Sequence, residues 1–411
     1  MNKNIKLAVA GAVLALSASA NAGIIIPAGD WTVDINGNVN AFATRLNVDK
    51  NDALTGGTIG TREDGNGEDT QFGITTGLLP AWIGFTGTTR QNDVDVAFTI
   101  SFQTGVADHG IHGDGTDGNG PNTTVANRQT FVSFGDKSWG TIKLGKDLGI
   151  YASNAILNDM TLLGVGAGGP TNGSLQNTTF GGIGTGFLYA AWKGQIAYTT
   201  PNMNGFQATV GLVDPNMFTV TADGAYQDRF GFEGQATYSW TGDAAGKVWA
   251  GFASYDVTGK STLTGSSAGD DVTVSAWDIG ANVNVGNLGL TAYYYDGKGN
   301  GITAMGLDGL VDTASGIKRR DGDGGYVQAT YVIPTGTKLG LAYGVSNLDK
   351  YSGESDGTLL DSQERWTVGA YHPLTKHLNL VAEYNDIQRE GHNSSLENEY
   401  DSFSVGAILF F

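Results

Sequence analysis

The 411-residue chain has no cysteine, only eight prolines, and no apolar run of 18 or more residues beyond its N-terminus. Each shortage removes a class of structure. Without cysteine there is no disulfide framework, so a secreted form of the chain must draw its stability from hydrogen-bonded backbone. Without a long apolar run there is no membrane-spanning helix. Basic residues are also few, with 23 Lys and Arg against 41 Asp and Glu. That balance argues against nucleic acid as a partner, since phosphate binding needs a surplus of Lys and Arg. Catalytic machinery is missing as well. The five histidines fall in predicted loops or turns, and no G-x-S-x-G elbow occurs. The expectation is a protein that is not an enzyme and carries no cofactor.

What is present begins with the N-terminus, "MNKNIKLAVAGAVLALSASANAG". Lys3 and Lys6 precede a short apolar run, and Ala20-Asn21-Ala22 precedes Gly23. This is the layout of a secretory signal over residues 1–22, cleaved between Ala22 and Gly23. The mature chain, 23–411, then carries 21 Lys and Arg against 41 acids, a balance near −20.

From residue 30 onward, segments of about ten residues alternate between apolar and polar. "DVDVAFTISFQ" sets Val94, Val96, Phe98, Ile100 and Phe102 on one face and Asp95, Ala97, Thr99, Ser101 and Gln103 on the other. "FQATVGLV", "RFGFEGQATYSW", "KLGLAYGV" and "HLNLVAEY" repeat the pattern. Short turns alternate with long loops rich in Gly, Asp, Asn and Ser, and the count is about sixteen strands. A soluble sandwich would also alternate, but its strands need only about five or six residues. These are nearer the nine to eleven that a tilted strand needs to cross a bilayer. Their polar faces hold Asp95, Glu233, Asp278 and Glu383, which suits a wet interior, and aromatic residues such as Trp31, Trp139, Trp192, Trp240, Tyr198, Tyr331 and Tyr384 stand at strand ends. The predicted fold is therefore an all-β transmembrane antiparallel up-and-down barrel, with short periplasmic turns and long extracellular loops.

The chain ends "YDSFSVGAILFF", with Phe403, Val405, Ala407, Leu409 and Phe411 on one face. A last strand that closes a barrel needs no polar tail, because an open edge in hydrocarbon leaves backbone groups unsatisfied. This ending resembles the C-terminal strand of Gram-negative general porins, whose terminal Phe is the recognition signal for the barrel-assembly machinery; Phe411 stands there. "NRQTFVSFGDKSWGTIKLGKD" resembles that family's fourth and fifth strands, "QIAYTTPNMNGFQATVGL" its sixth and seventh, and "RWTVGAYHPLTKHLNLVAEYND" its late hairpin. The likeness runs the length of the chain. It implies a sixteen-stranded barrel, a homotrimer embedded in outer-membrane lipid and lipopolysaccharide, and passive diffusion of ions and small hydrophilic solutes.

The resemblance also implies that one loop, residues 146–192, folds into the lumen and sets acids against basic residues of the wall. Asp147 and Asp159 are the acids of that segment. Placing Phe131, Ile142, Leu144, Ile196 and Trp366 outward turns Arg128, Lys143, Lys193 and Arg365 inward, and strand alternation turns Arg229 inward. With Asp95, Glu233 and Glu383 these form the candidate pore lining. Relatives often carry Arg where Lys193 stands. The inner charges roughly balance, so the acidic loops at the mouth should set a modest cation preference that weakens as salt rises.

Two rival functions are open at this stage. A sugar-type selective channel of the same fold would use Tyr151 and Tyr189 in a low-charge constriction. A secreted acidic, Ca²⁺-binding adhesin would use loop carboxylates such as Asp64, Glu68, Asp114 and Asp117, which supply hard oxygen ligands. The G-x-G-x-x-G match at residues 164–169 has no βαβ context and reads as a flexible loop.

Overall fold

A computed structural model describes residues 23–57, 69–105, 125–167, 178–214, 225–226, 229–259, 271–303, 308–313 and 315–411. The first strands are β1 (Ile24–Ala28), β2 (Trp31–Asn51), β3 (Thr70–Thr75), β4 (Ala81–Gln91), β5 (Val94–Thr104), β6 (Ala126–Asp136), β7 (Gly140–Leu148), β8 (Trp192–Thr199) and β9 (Phe206–Val213). They continue with β10 (Ala225–Tyr226), β11 (Gly231–Trp240), β12 (Ala244–Gly259), β13 (Asp271–Val285), β14 (Leu288–Lys298), β15 (Leu310–Thr313) and β16 (Gly316–Arg319). The last are β17 (Gly322–Val332), β18 (Lys338–Leu348), β19 (Leu360–Pro373), β20 (Leu378–Gly391) and β21 (Glu397–Phe410). One short helix, α1 (Ser153–Asn158), and a 3₁₀ turn (Met160–Leu163) lie between β7 and β8. No helix among the described residues is long and apolar enough to cross a membrane.

Every wall pairing is antiparallel, and β21 pairs with β2, so the sheet closes on itself. Sixteen wall strands result when β3 and β4 are taken as two halves of one strand. Both halves pair with β2, at Phe42–Asn47 and at Thr32–Asn38. β1 continues the line of β21 along the same edge of β2, while β15 and β16 form a hairpin inside one loop. Seven turns of two to six residues lie at one rim. Asn92 and Asp93, both at positive φ, make one two-residue hairpin of the kind that matches strand twist. The eight connections at the other rim reach 43 residues, between β7 and β8.

Alternation decides which side of the wall each residue faces. On β21, Phe403, Val405 and Leu409 are exposed while Ser402, Ser404 and Ile408 are buried. The outer face elsewhere carries Ile100, Phe102, Ile196, Val210, Phe232, Ile279, Leu290, Val327, Leu341, Trp366 and Val368. That is the apolar exterior a barrel presents to lipid. Tyr198, Tyr331 and Trp139 are exposed near strand ends, as expected, whereas Tyr384, also exposed, stands at the middle of β20 because that strand runs on to Gly391. Closure reaches the last residue: Phe411 N–H donates to the Gly37 carbonyl (3.1 Å) and Gly37 N–H to the Phe411 carbonyl (2.8 Å). The terminus is thus a ladder position and leaves no free edge there.

Candidate functional site: a loop tied across the lumen

The resemblance assigned residues 146–192 to an infolded loop; β7 runs on through Leu148 and β8 begins at Trp192, so the loop is residues 149–191. Asp147 therefore sits on the wall rather than on the loop, opposite Lys193 of β8. The inner face of the wall meets the loop in three layers. Nearest the long loops, Glu233 accepts from the N–H groups of Ile150 (2.6 Å) and Tyr151 (3.0 Å), and Asp278 accepts from that of Ala152 (3.1 Å). Farther along the loop, Glu383 accepts from Val165 (2.8 Å) and Gly166 (2.7 Å), and Ser346 from Gly186 (3.0 Å). Gln363 donates to the Gly184 carbonyl.

The second layer is aromatic. Trp249, Tyr293 and Tyr326 occupy one rung across β12, β14 and β17, with Gly280 between the first two. Trp249 and Tyr293 are stacked at 6.4 Å, and Phe187 of the loop packs 5.7 Å from Tyr326. These rings join Ile156, Met160, Leu162, Val165, Phe180 and Ile183 of the loop in a core that lies inside the barrel. At about 25 cal/mol per Å² of apolar surface removed from water, such a core holds the loop against the wall without help from loop strands. Gly344 marks how close the approach is, because any side chain there would collide with the Thr185 carbonyl.

The third layer, one rung nearer the short turns, is polar, with Lys247, Asn282 and Gln328 part-exposed and Thr291 buried. Lys247 stands opposite Asn282, Asn282 opposite Thr291, and Thr291 opposite Gln328. Helix α1 touches this floor through Asn154, which accepts from Lys247 Nζ (2.7 Å), and through Asn158, whose carbonyl accepts from Gln328 (2.7 Å).

The predicted lining residues do not form one water-facing ring. Glu233, Glu383, Lys193 and Arg365 are buried at 1–2% exposure, and Asp147, Asp159 and Arg128 at 5–7%. Glu233, Glu383, Lys193 and Arg365 are inward, as alternation required, and loop groups take up hydrogen bonds of Glu233, Glu383 and Arg365. Lys193 pairs with Glu233 at 2.6 Å, and Tyr255 also donates to that carboxylate. Arg365 donates to Thr185 (3.1 Å) and to Thr367. Asp159 is held within the loop by Thr161 and by Gly182 N–H (2.9 Å). Asp159 and Arg365 flank Gly182: a Cβ added there would sit 2.8 Å from Asp159 Oδ2 and 2.9 Å from Arg365 Nη2.

Three assignments need correction. Phe131 faces inward, beside Lys143 at 5.0 Å, because Ser133 and Lys143 are cross-strand partners on the lumen face. Arg128 nonetheless reaches the interior, because a register shift between Ser101 and Phe102 leaves it as an extra residue on β6. There its guanidinium lies 4.8 Å from the Trp82 ring and 4.3 Å from the Trp192 ring, so Trp192 serves this contact rather than an interfacial girdle. Arg229 precedes β11, so strand alternation does not govern it. It is exposed at the rim and pairs with Asp256 at 3.3 Å.

Lys143 is part-exposed and paired with Asp147, which also accepts from Gln129 (2.9 Å). Asp95 lies near the turn rim and pairs at 2.8 Å with Arg90, a base that motif reading passed over. Lys247 and Lys338 were passed over too, although their outward neighbours Val248 and Leu339 carry the signal that turns both inward. Of the two tyrosines expected at a sugar constriction, Tyr151 is 6% exposed. Burial pushes the Tyr189 phenol up to about 12 and the Tyr151 phenol well above its ordinary range, so both are neutral hydroxyls. Asp64, Glu68, Asp114 and Asp117 lie outside the described residues, as does Ala22; no metal-binding group of acids and histidines occurs among the described residues.

A closed sixteen-strand wall, apolar outside and crossed within by its longest loop, defines an outer-membrane channel barrel. A family model for Gram-negative porins matches residues 7–392, and the chain belongs to that family. Solved structures with a similar fold include the outer-membrane channel DcaP of Acinetobacter baumannii. That pair shows 16% identity over 95% of this chain and 100% of that one, with a TM-score of 0.67. OmpF of Salmonella typhi, in complex with daunomycin, is 14% identical over 94% and 100%, with a TM-score of 0.58. OmpT of Vibrio cholerae in a trimer form is 16% identical over 93% and 99%, with a TM-score of 0.54. No curated protein sequence matches the chain.

Proposed function

We propose that this chain is a porin for passive diffusion of ions and small hydrophilic solutes, with a modest cation preference at low salt. The observation that carries the proposal is the loop tied across the lumen by buried wall carboxylates and covered by an internal apolar core. Such a loop narrows a path without being a mobile cover. The cation preference rests on the outer rim, where Asp49, Asp52, Asp256, Asp271, Asp356, Asp361, Glu397 and Glu399 outnumber Lys50, Arg229, Lys298, Arg319 and Lys350. At physiological salt the screening length is about 8 Å, so these charges enrich cations at the mouth. The trimer form of the similarly folded OmpT supports a homotrimer here. In planar bilayers with a dilute KCl gradient, the reversal potential should report cation preference. Anion preference there would overturn the assignment, and saturable block by one sugar would favour a solute-selective channel instead.

We further propose that the chain reaches the outer membrane after cleavage between Ala22 and Gly23. Gly23 lies against the Asp34 side chain, where any Cβ would overlap the carboxylate, and Asp34 Oδ1 is buried with no hydrogen-bond partner. A new α-ammonium at Gly23 would supply one. Intact-mass measurement of the outer-membrane form should start at Gly23; a mass that retains Met1 would refute the cleavage.

A further inference from the structure

The porin reading places cation enrichment at the mouth, and the inner half of the lumen carries charge of the opposite sign. Lys247 on β12 and Lys338 on β18 both face inward and remain part-exposed on the turn side of the loop. Lys247 Nζ donates to the Asn154 side-chain carbonyl, and Lys338 Nζ lies 5.2 Å from the Tyr371 ring. Among the described residues, neither forms an ion pair with a carboxylate. The groups between them are amides and hydroxyls: Asn282, Thr291 and Gln328 on the same rung as Lys247, and Asn158 from the loop above. The carboxylates that alternation placed on this wall, Asp278 and Glu383, are 1% exposed and occupied by loop N–H groups. On the facing wall, Asp95 is paired with Arg90, Asp147 is paired with Lys143, and Asp34 is covered by Gly23.

We infer that Lys247 and Lys338 make the inner floor of the channel an anion-accepting zone, in series with the cation-enriching mouth, so that ion preference inverts as salt rises. The two zones differ in screening. The acids of the mouth stand in open solvent and act at a distance, and at molar salt the screening length falls to about 3 Å. Lysines on the inner wall, on the turn side of the loop, act on a passing ion at contact distance, between low-dielectric walls, where salt screens less. The mouth therefore governs in dilute KCl and the floor in molar KCl. The solutes this floor favours are small anions: chloride, inorganic phosphate and short carboxylates.

Reversal potentials should be measured in planar bilayers, in KCl gradients of low and of molar mean concentration, for the full mature chain. The wild type should show cation preference in dilute salt and anion preference in molar salt. The Lys247→Gln/Lys338→Gln variant should keep cation preference in dilute salt and lose the inversion, while Lys247→Arg/Lys338→Arg should retain it. The arginine variant guards against misfolding, since it keeps the charges with similar bulk. A wild-type sign that stays the same at both salts, or an inversion that survives in the glutamine variant, would overturn this inference and leave the channel reading intact. No conductance from correctly assembled wild type would overturn the channel reading itself.

Discussion

Replacing Lys193 with Met should be among the most damaging single substitutions in this protein. It leaves the Glu233 carboxylate, which has no exposed side-chain surface, without the one cation that pairs with it among the described residues. Removing one partner of a buried ion pair costs about 3–5 kcal/mol, because the remaining charge stays desolvated. Glu233 is also the first anchor of the loop, accepting from Ile150 and Tyr151. The strain can be relieved by letting water reach the carboxylate, which detaches the loop at its β7 end. Lys193→Met should therefore lower the temperature at which the folded band is lost in detergent electrophoresis, and raise single-channel conductance and its noise. Lys193→Met/Glu233→Gln should recover most of the loss, since a neutral amide oxygen still accepts the two N–H groups. A single variant as stable as wild type would show that the pair does not hold the loop.

Deleting Phe411 is the second large effect. The residue exchanges two backbone hydrogen bonds with Gly37, and its ring lies against that glycine at the meeting of β21 and β2. In hydrocarbon each unsatisfied backbone group costs several kcal/mol, so a shortened closing strand weakens the one seam that joins the two ends of the sheet. If the terminal aromatic is also the signal read by the assembly machinery, the loss is kinetic as well as thermodynamic. The expected outcome is a sharp fall in assembled barrel with synthesis unchanged, seen as loss of the heat-modifiable form in outer-membrane fractions. Normal amounts of that form would count against both the seam and the signal.

The wall was legible in the sequence because its rule is local. Strand side chains alternate with period two, and a lipid-facing surface admits few exceptions, so Phe403, Val405 and Leu409 or Phe98, Ile100 and Phe102 declare a side without reference to anything distant. The same rule made Arg365, Lys193, Glu233 and Glu383 inward. It failed where alternation itself is interrupted. The extra residue on β6 placed Arg128 inside despite an inward Phe131, and Arg229 lies before the strand that was used to orient it.

What inward charges do was decided only by tertiary structure. Glu233 and Ile150 are 83 residues apart, and Glu383 and Val165 are 218 apart. No pattern within either segment shows that a carboxylate on one meets backbone N–H groups on the other. Alternation reports a face; whether water or protein covers that face depends on where a 43-residue loop comes to rest. Its own apolar residues, Ile156, Met160, Leu162, Phe180 and Phe187, determine that, because they leave water against the inward apolar residues of the wall, Trp249, Tyr293, Tyr326, Tyr371 and Val381 among them. Lys247 and Lys338 stay part-exposed for the same reason: the apolar core ends on the rung above Lys247, which meets the loop through the polar side chain of Asn154.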